Sequence, residues 1–272
     1  MGLAYEVIGF NGTTGAVGDV YADAAADAGD TLTIRQFAQG SKAQLEFIGL
    51  QPAAAGATRV EVKSPVLHDN VQGIELVTAE SPAAFLMPER TGEPMQPGDT
   101  LTVQVATSVA AATVIGGALG IYYQNVDGLA ASLKMWSDIS AQITHIKPFS
   151  VTPGAVAANT WLDTSLDTAA AQLDANRYYA VLGYVTSDPY VAVGIKGQNT
   201  GNVRVGGPGA TSTLNIANYF VEVSDLQQTP HIPVFYANNK GSTYLSLLSA
   251  VAVAAPKDVV LVCAQLAPTY AP

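Results

Sequence analysis

Pro97-Gly98-Asp99-Thr100-Leu101-Thr102-Val103-Gln104-Val105 reads as a turn running into a strand. Proline pre-sets a turn dihedral and glycine accepts positive φ. Leu101, Val103 and Val105 then fall on one face of an extended chain, with Thr102 and Gln104 on the other. The same grammar recurs. Thr58-Arg59-Val60-Glu61-Val62-Lys63, Thr31-Leu32-Thr33-Ile34, Asn202-Val203-Arg204-Val205 and Phe220-Val221-Glu222-Val223-Ser224 all alternate. Tyr178 to Val185 and Val259 to Leu266 are nearly all apolar, as strands covered on both faces are. Ala28-Gly29-Asp30, Ser187-Asp188-Pro189, Gly206-Gly207-Pro208-Gly209 and Asn238-Asn239-Lys240-Gly241 punctuate the runs. Short strands between regular turn signals predict an all-β sandwich or barrel.

Helix signals are fewer. Val17–Ala28, with Asp19, Asp23 and Asp27 at every fourth position, is one candidate; Val126–Ser137 and Leu166–Asn176 are the others. The chain reads as bipartite. Ile139–Ile146 is taken as the strand that closes the first half, and Pro148 and Pro153-Gly154 punctuate the stretch that follows. This places the boundary between about 148 and 160, giving a first β-sandwich over 1–150 and a second over 151–272. Gly29-Asp30-Thr31-Leu32-Thr33-Ile34 echoes Gly98-Asp99-Thr100-Leu101-Thr102-Val103, a shared turn-into-strand solution and not a domain repeat.

Charge decides which functions are excluded. Only 12% of the 272 residues are Asp, Glu, Lys or Arg, against about 25% in an ordinary soluble domain. The formal net charge is −10 and the twelve basic residues are scattered singly. Direct nucleic-acid binding needs clustered cations, so none is expected, and an anionic membrane surface would repel the chain. Surface this poor in charge is suited to being covered, because charge is depleted at interface cores. Val103–Tyr123 carries no charge over 21 residues, but its polar and glycine positions suit two strands joined near Ala110–Ala112 better than a membrane span. The start, Met-Gly-Leu-Ala-Tyr-Glu, has no secretory pattern, and Glu6 breaks the myristoylation pattern. The expectation is folding in the host cytoplasm.

Reactive chemistry is sparse. Cys263, the one cysteine, lies in an apolar run and reads as a small buried hydrophobe. His68 and Asp69 are neighbours that point to opposite faces of an extended chain, so they make no dyad. His145 reads as a structural strand histidine, and His231 sits between Pro230 and Pro233 as on a stiff corner. Asp19, Asp23, Asp27 and Asp30 lack the pattern of a Ca²⁺ loop and read as a solvated helix face. No cofactor is expected; a weak Ca²⁺ shared between subunits stays open. Gly201–Gly209 has no following Lys-Ser/Thr and reads as a hairpin loop, not a phosphate cradle. No G-x-S-x-G element is present, and no enzyme activity is expected.

Two β-rich halves of this size suit two jelly rolls in tandem. In size, strand rhythm and bipartite layout the whole chain resembles the double jelly-roll major capsid proteins of membrane-containing bacterial and archaeal viruses. The resemblance implies trimers with a pseudo-sixfold outline that tile an icosahedral shell. It also implies a virion location and contact with other virion proteins, and leaves open whether an internal membrane lies beneath the shell. The uncharged segments Val103–Tyr123 and Tyr244–Ala255 are expected to be covered partly by core and partly by neighbours, with Tyr123 and Tyr244 as contact residues. The rival is a receptor- or glycan-binding sandwich, for which the tyrosines at 122–123, 178–179, 184 and 190 and Phe235-Tyr236 would supply aromatics. A cupin-like enzyme is the weakest rival, since three scattered histidines make no ligand set.

Overall fold

A computed structural model describes residues 2–15, 20–37, 39–53, 57–68, 73–78, 83–86, 93–108, 113–126, 133–167, 172–209 and 216–271. The first half holds β1 (Gly2–Thr13), β2 (Ala22–Asp23), β3 (Ala25–Ala26), β4 (Lys42–Pro52), β5 (Thr58–Lys63), β6 (Ile74–Thr78), β7 (Ala83–Leu86), β8 (Glu93–Met95), β9 (Thr102–Thr107) and β10 (Val114–Val126). One sheet runs β3-β1-β10-β4-β7, with β8 also on β4; the other runs β2-β9-β5-β6. The second half holds β11 (Leu133–Lys134), β12 (Ile143–Val151), β13 (Leu162–Ser165), β14 (Tyr178–Val185), β15 (Ala192–Gly197), β16 (Arg204–Pro208), β17 (Ile232–Tyr236), β18 (Thr243–Leu248) and β19 (Val259–Leu266). Its sheets run β11-β17-β14-β19-β12 and β13-β18-β15-β16. Every pairing is antiparallel.

Counting the main strands of each half from one to eight, both halves show one sheet ordered 1-8-3-6 and a second ordered 2-7-4-5. That is the jelly-roll order, generated twice. The alternation read in β5 and β9 sorts as expected: Val60, Val62, Val103 and Val105 are buried in the first core, while Arg59, Lys63 and Gln104 lie opposite. The two echoed segments pair with each other. Thr33 bridges Thr100, Ile34 N donates to Asp99 O and Gly98 N donates to Ile34 O, after turns with Gly29 at φ +88° and Gly98 at φ +85°.

Several expectations are corrected. The strand expected to close the first half is a short helix, α1 (Trp136–Ile139), a 3-10 turn and then β12, which pairs with β19. Sheet membership therefore changes over between Val126 and Leu133, ahead of the region 148–160. Tertiary pairing outweighs the prolines there, because Pro148 sits on an edge strand where its missing N–H costs nothing. Phe220–Ser224 is not a strand but part of α2 (Tyr219–Gln227). Tyr219, Phe220, Val223 and Ser224 are its buried residues, which is one helical face. Val17–Ala28 forms β2 and β3 where described, not a helix, and Asp19 lies outside the described residues. Leu166–Asn176 shows no α-helix among its described residues. Gly206 and Gly207 lie in β16; the hairpin turn falls earlier, at Gly201 and Asn202, both at positive φ. Val103–Tyr123 is indeed β9 followed by β10; the join at 110–112 lies outside the described residues.

Candidate interaction surfaces

The sheet β1-β10-β4 is covered on both faces. On one face Ala4, Ile8, Phe10, Leu45, Ile48 and Leu119 enter the first sandwich core. On the other, Tyr5, Val7, Phe47, Ala118 and Tyr122 join the core cluster of the second half. The two halves meet so closely that side chains there would collide: a Cβ on Gly49 would strike the carbonyl of Val191, and one on Gly116 would strike Ala250. β16 runs along this face, against β1, β4 and β10. Tyr123, expected at a contact between copies, is instead fully buried inside the first sandwich. Its hydroxyl donates to Glu6 and accepts from Arg35 N, and Phe37 packs edge-on at 4.9 Å. It offers no surface to a neighbour.

Two polar clusters cross the seam, beside a buried contact in which Gln51 Oε1 accepts from Ala250 N at 2.8 Å. In the first, His231 from the second half stacks on Tyr122 at 4.7 Å between ring centres, with Tyr5 edge-on at 5.8 Å. Its Nε2 lies 3.5 Å from Glu46 Oε2, and Nδ1 lies 3.1 Å from Thr229 Oγ1. Glu46 also accepts from Gln44 and Gln227. In the second cluster Asp30 Oδ2 accepts from Gly9 N at 2.6 Å and from Trp161 Nε1 at 2.7 Å, while Arg204 lies 3.3 Å from Oδ1 and 4.6 Å over the Trp161 ring. Asp163 joins Arg204 to Lys196 and Ser246. Burial pushes the Asp30 carboxyl up, and the surrounding donors only partly offset it. Burial also acts on Asp163, but the Lys196 and Ser246 hydrogen bonds and the Arg204 charge outweigh it and hold that carboxyl below the ordinary range. Asp27 and Asp30 are thus seam residues and not a solvated helix face.

The other singled-out residues have local partners. His68 Nδ1 accepts from Ser64 N, and the Ser64 hydroxyl bonds to Asp99 instead of the imidazole, so the three form no Ser-His-Asp relay. Asp69 lies outside the described residues. Cys263 is buried between β12 and β14 and burial pushes its thiol far up. His145 is exposed at a groove of about 390 Å³ lined also by Thr144, Asp174, Arg177 and Gln265, with no aromatic side chain in the lining. Among the described residues no group of three or more His, Cys, Asp or Glu could hold a metal ion, and no helix is long and apolar enough to cross a membrane.

Among the described residues, two sheet surfaces that correspond to the seam partners carry exposed apolar side chains. The outer side of β12-β19-β14, the second-half counterpart of the sheet at the seam, exposes Ile146 at 52% and Val185 at 46%, beside Pro148 and half-buried Val260 and Val262. β6, the counterpart of β16, forms the open edge of its sheet and exposes Val77 at 50%. Tyr244 is half-buried on β18, opposite Lys196. Periodicity pointed to the strands but not to these faces, since nothing in a strand's alternation says which outer face a second sandwich covers.

The class that sheet order defines is an all-β protein of two jelly-roll sandwiches. No protein-family model and no curated protein matches the chain. Among solved structures, the crystal structure of the STIV MCP is matched over 99% of this chain and 98% of that chain, at 8% identity and a TM-score of 0.24.

Proposed function

We propose that the chain is a structural subunit of a closed protein shell, a virus capsid protein that assembles head to tail through the same kind of contact it makes within itself. One observation carries this reading. Each half has the same strand order, the first half's 1-8-3 face is covered by the second half's strand 5, and among the described residues the counterparts of both partners expose apolar side chains, Val77 beside Glu75 on β6 and Ile146 and Val185 on the β12-β19-β14 sheet. Strand β6 of one copy against the β12-β19-β14 face of the next repeats the internal contact. A contact of this head-to-tail kind makes a ring if the rotation closes. Three copies, contributing six sandwiches, form the ring the resemblance implies. Low charge agrees, since the covered surface has few ions to desolvate.

The test is oligomer mass by light scattering after size exclusion. The expected mass is three times 28.1 kDa. Val185→Asp and, separately, Val77→Asp should each give a folded monomer, because an unpaired charge is costly to bury at a contact. Tyr244→Asp is a third trial at the half-buried position of β18. A wild-type chain that stays monomeric across concentration and ionic strength, and enters no particle, overturns the proposal.

A further inference from the structure

We propose that the seam between the two sandwiches is a proton-operated lock, tight while Asp27 carries a proton and weakened when Asp27 ionises. Asp27 follows β3, is 3% exposed, and lies at the seam: a Cβ on Gly9 would strike both its carboxylate and Leu248 from β18. Its carboxylate accepts one side-chain hydrogen bond, from Asn11 Nδ2 at 2.5 Å, and forms no ion pair among the described residues. Asp30, three residues on and tied back by Asp30 N to Asp27 O, takes the donors instead: Gly9 N, Trp161 and Arg204.

The charge balance around the seam leaves Asp27 over. Asp27 and Asp30 come from the turn, Glu6 and Arg35 from the first half, Arg204 from β16, Asp163 from β13 and Lys196 from β15. Four carboxylates meet three cations. Arg35 is held by Glu6, Lys196 by Asp163, and Arg204 by Asp30 with Asp163 behind it. Asp27 is the carboxylate that no cation reaches, so the proton goes there. In keeping with this, burial, opposed only by Asn11 and reinforced by the charge of Asp30, lifts the Asp27 carboxyl to about 7.

The direction of the pH effect follows. In the unfolded chain Asp27 ionises near the ordinary carboxylate value of 3.8, and in the folded chain near 7. The contribution of Asp27 to folded stability is therefore fullest below 3.8, falls as pH rises from there to about 7, and is level above. Burial pushes Glu6 and Asp30 up as well, which adds in the same sense. Asp163, held below the ordinary range, acts oppositely and only in acid, where its ion pairs are lost.

Asp27→Asn keeps an acceptor for Asn11 and removes the charge. The wild-type melting temperature should fall between pH 5 and pH 8. D27N should show a flatter profile and melt above wild type at pH 8. In a Trp136→Phe background Trp161 is the remaining indole and reports the seam. Its emission should shift to the red between pH 5 and pH 8, and adding D27N should abolish that shift. Parallel melting profiles, or an unchanged Trp161 shift in the double variant, overturn the proposal. Carboxyl-carbon NMR of the wild-type chain decides it even if D27N fails to fold. An Asp27 midpoint near 7 supports the lock and a midpoint below 5 overturns it. None of these readings depends on assembly, so the lock and the shell proposal fail separately.

Discussion

Gly120 lies opposite a bulge in β4, where Phe47 pairs with Gly120 and Leu45 with Ile121, leaving Glu46 as the extra residue. The bulge lets Glu46 reach His231 while Phe47 lies across the sheet toward the second half. A Cβ at Gly120 would collide with the Phe47 ring and the Tyr5 hydroxyl, neither of which has room to move in a filled core. Gly120→Ala should therefore destabilise the chain by about 1–3 kcal/mol through overpacking, read as a lowered denaturation midpoint with the denaturant slope unchanged. Residue type was legible where burial alone decided it. Cys263 reads as buried from its apolar neighbours and is buried. Tyr123 was misplaced because an aromatic in an uncharged run looks the same whether its ring meets its own core or a neighbour's. Asp27 and Asp30 carry no local sign that a second sandwich would close over them.

Strand β12 shows what one element must solve. It is the edge of its sheet, with no strand beyond it among the described residues, and such edges template aggregation unless blocked. Gln172 blocks part of it by standing in for a strand: its Oε1 accepts from Ser150 N at 3.1 Å, and its Nε2 donates to Ser150 O at 3.2 Å. Lys147, paired with Asp174, and Pro148 protect the positions before it. Gln172→Ala should speed hydrogen exchange of the Ser150 amide several-fold, in line with roughly 1 kcal/mol for a net hydrogen bond, and should leave the amides of β19 unchanged. Equal acceleration across the sheet would mean global destabilisation instead. At this scale the sequence was most readable for the central strands: β5, β9, β14 and β19 appear where alternation or a continuous apolar run places them. It was least readable where two periods coincide. Phe220 and Val223 suit a helix face as well as they suit neighbouring strand positions, and packing of α2 on β14 and β17 settles which.

In the whole molecule the two sandwiches share one hydrophobic cluster across the seam. Alone, the first half would present Tyr5, Val7, Phe47, Ala118 and Tyr122 to water on one sheet face, a contiguous apolar patch of the kind monomers seldom expose. Bipartite layout was visible in the strand rhythm, but the covering of that face was not. Strand order and inter-half packing come from contacts distant in sequence, such as Asp30 with Arg204 and Gln51 with Ala250. A specific protease site inserted between Val126 and Leu133 tests the seam directly. After cleavage the two fragments should still elute together, since the apolar face and both polar clusters remain in place. The first fragment made alone should aggregate, and supplying the second during refolding should rescue it. Fragments that separate on cleavage while each stays folded and soluble would mean that the seam contributes little, and the same contact would then be too weak to serve as the template for joining copies. Arg204→Ala refines the measurement. It removes the cation that Asp30 and Asp163 share, leaves Asp30 without an ion-pair partner among the described residues while Asp163 keeps Lys196, and should make the cleaved fragments separate at a lower denaturant concentration than the wild-type pair.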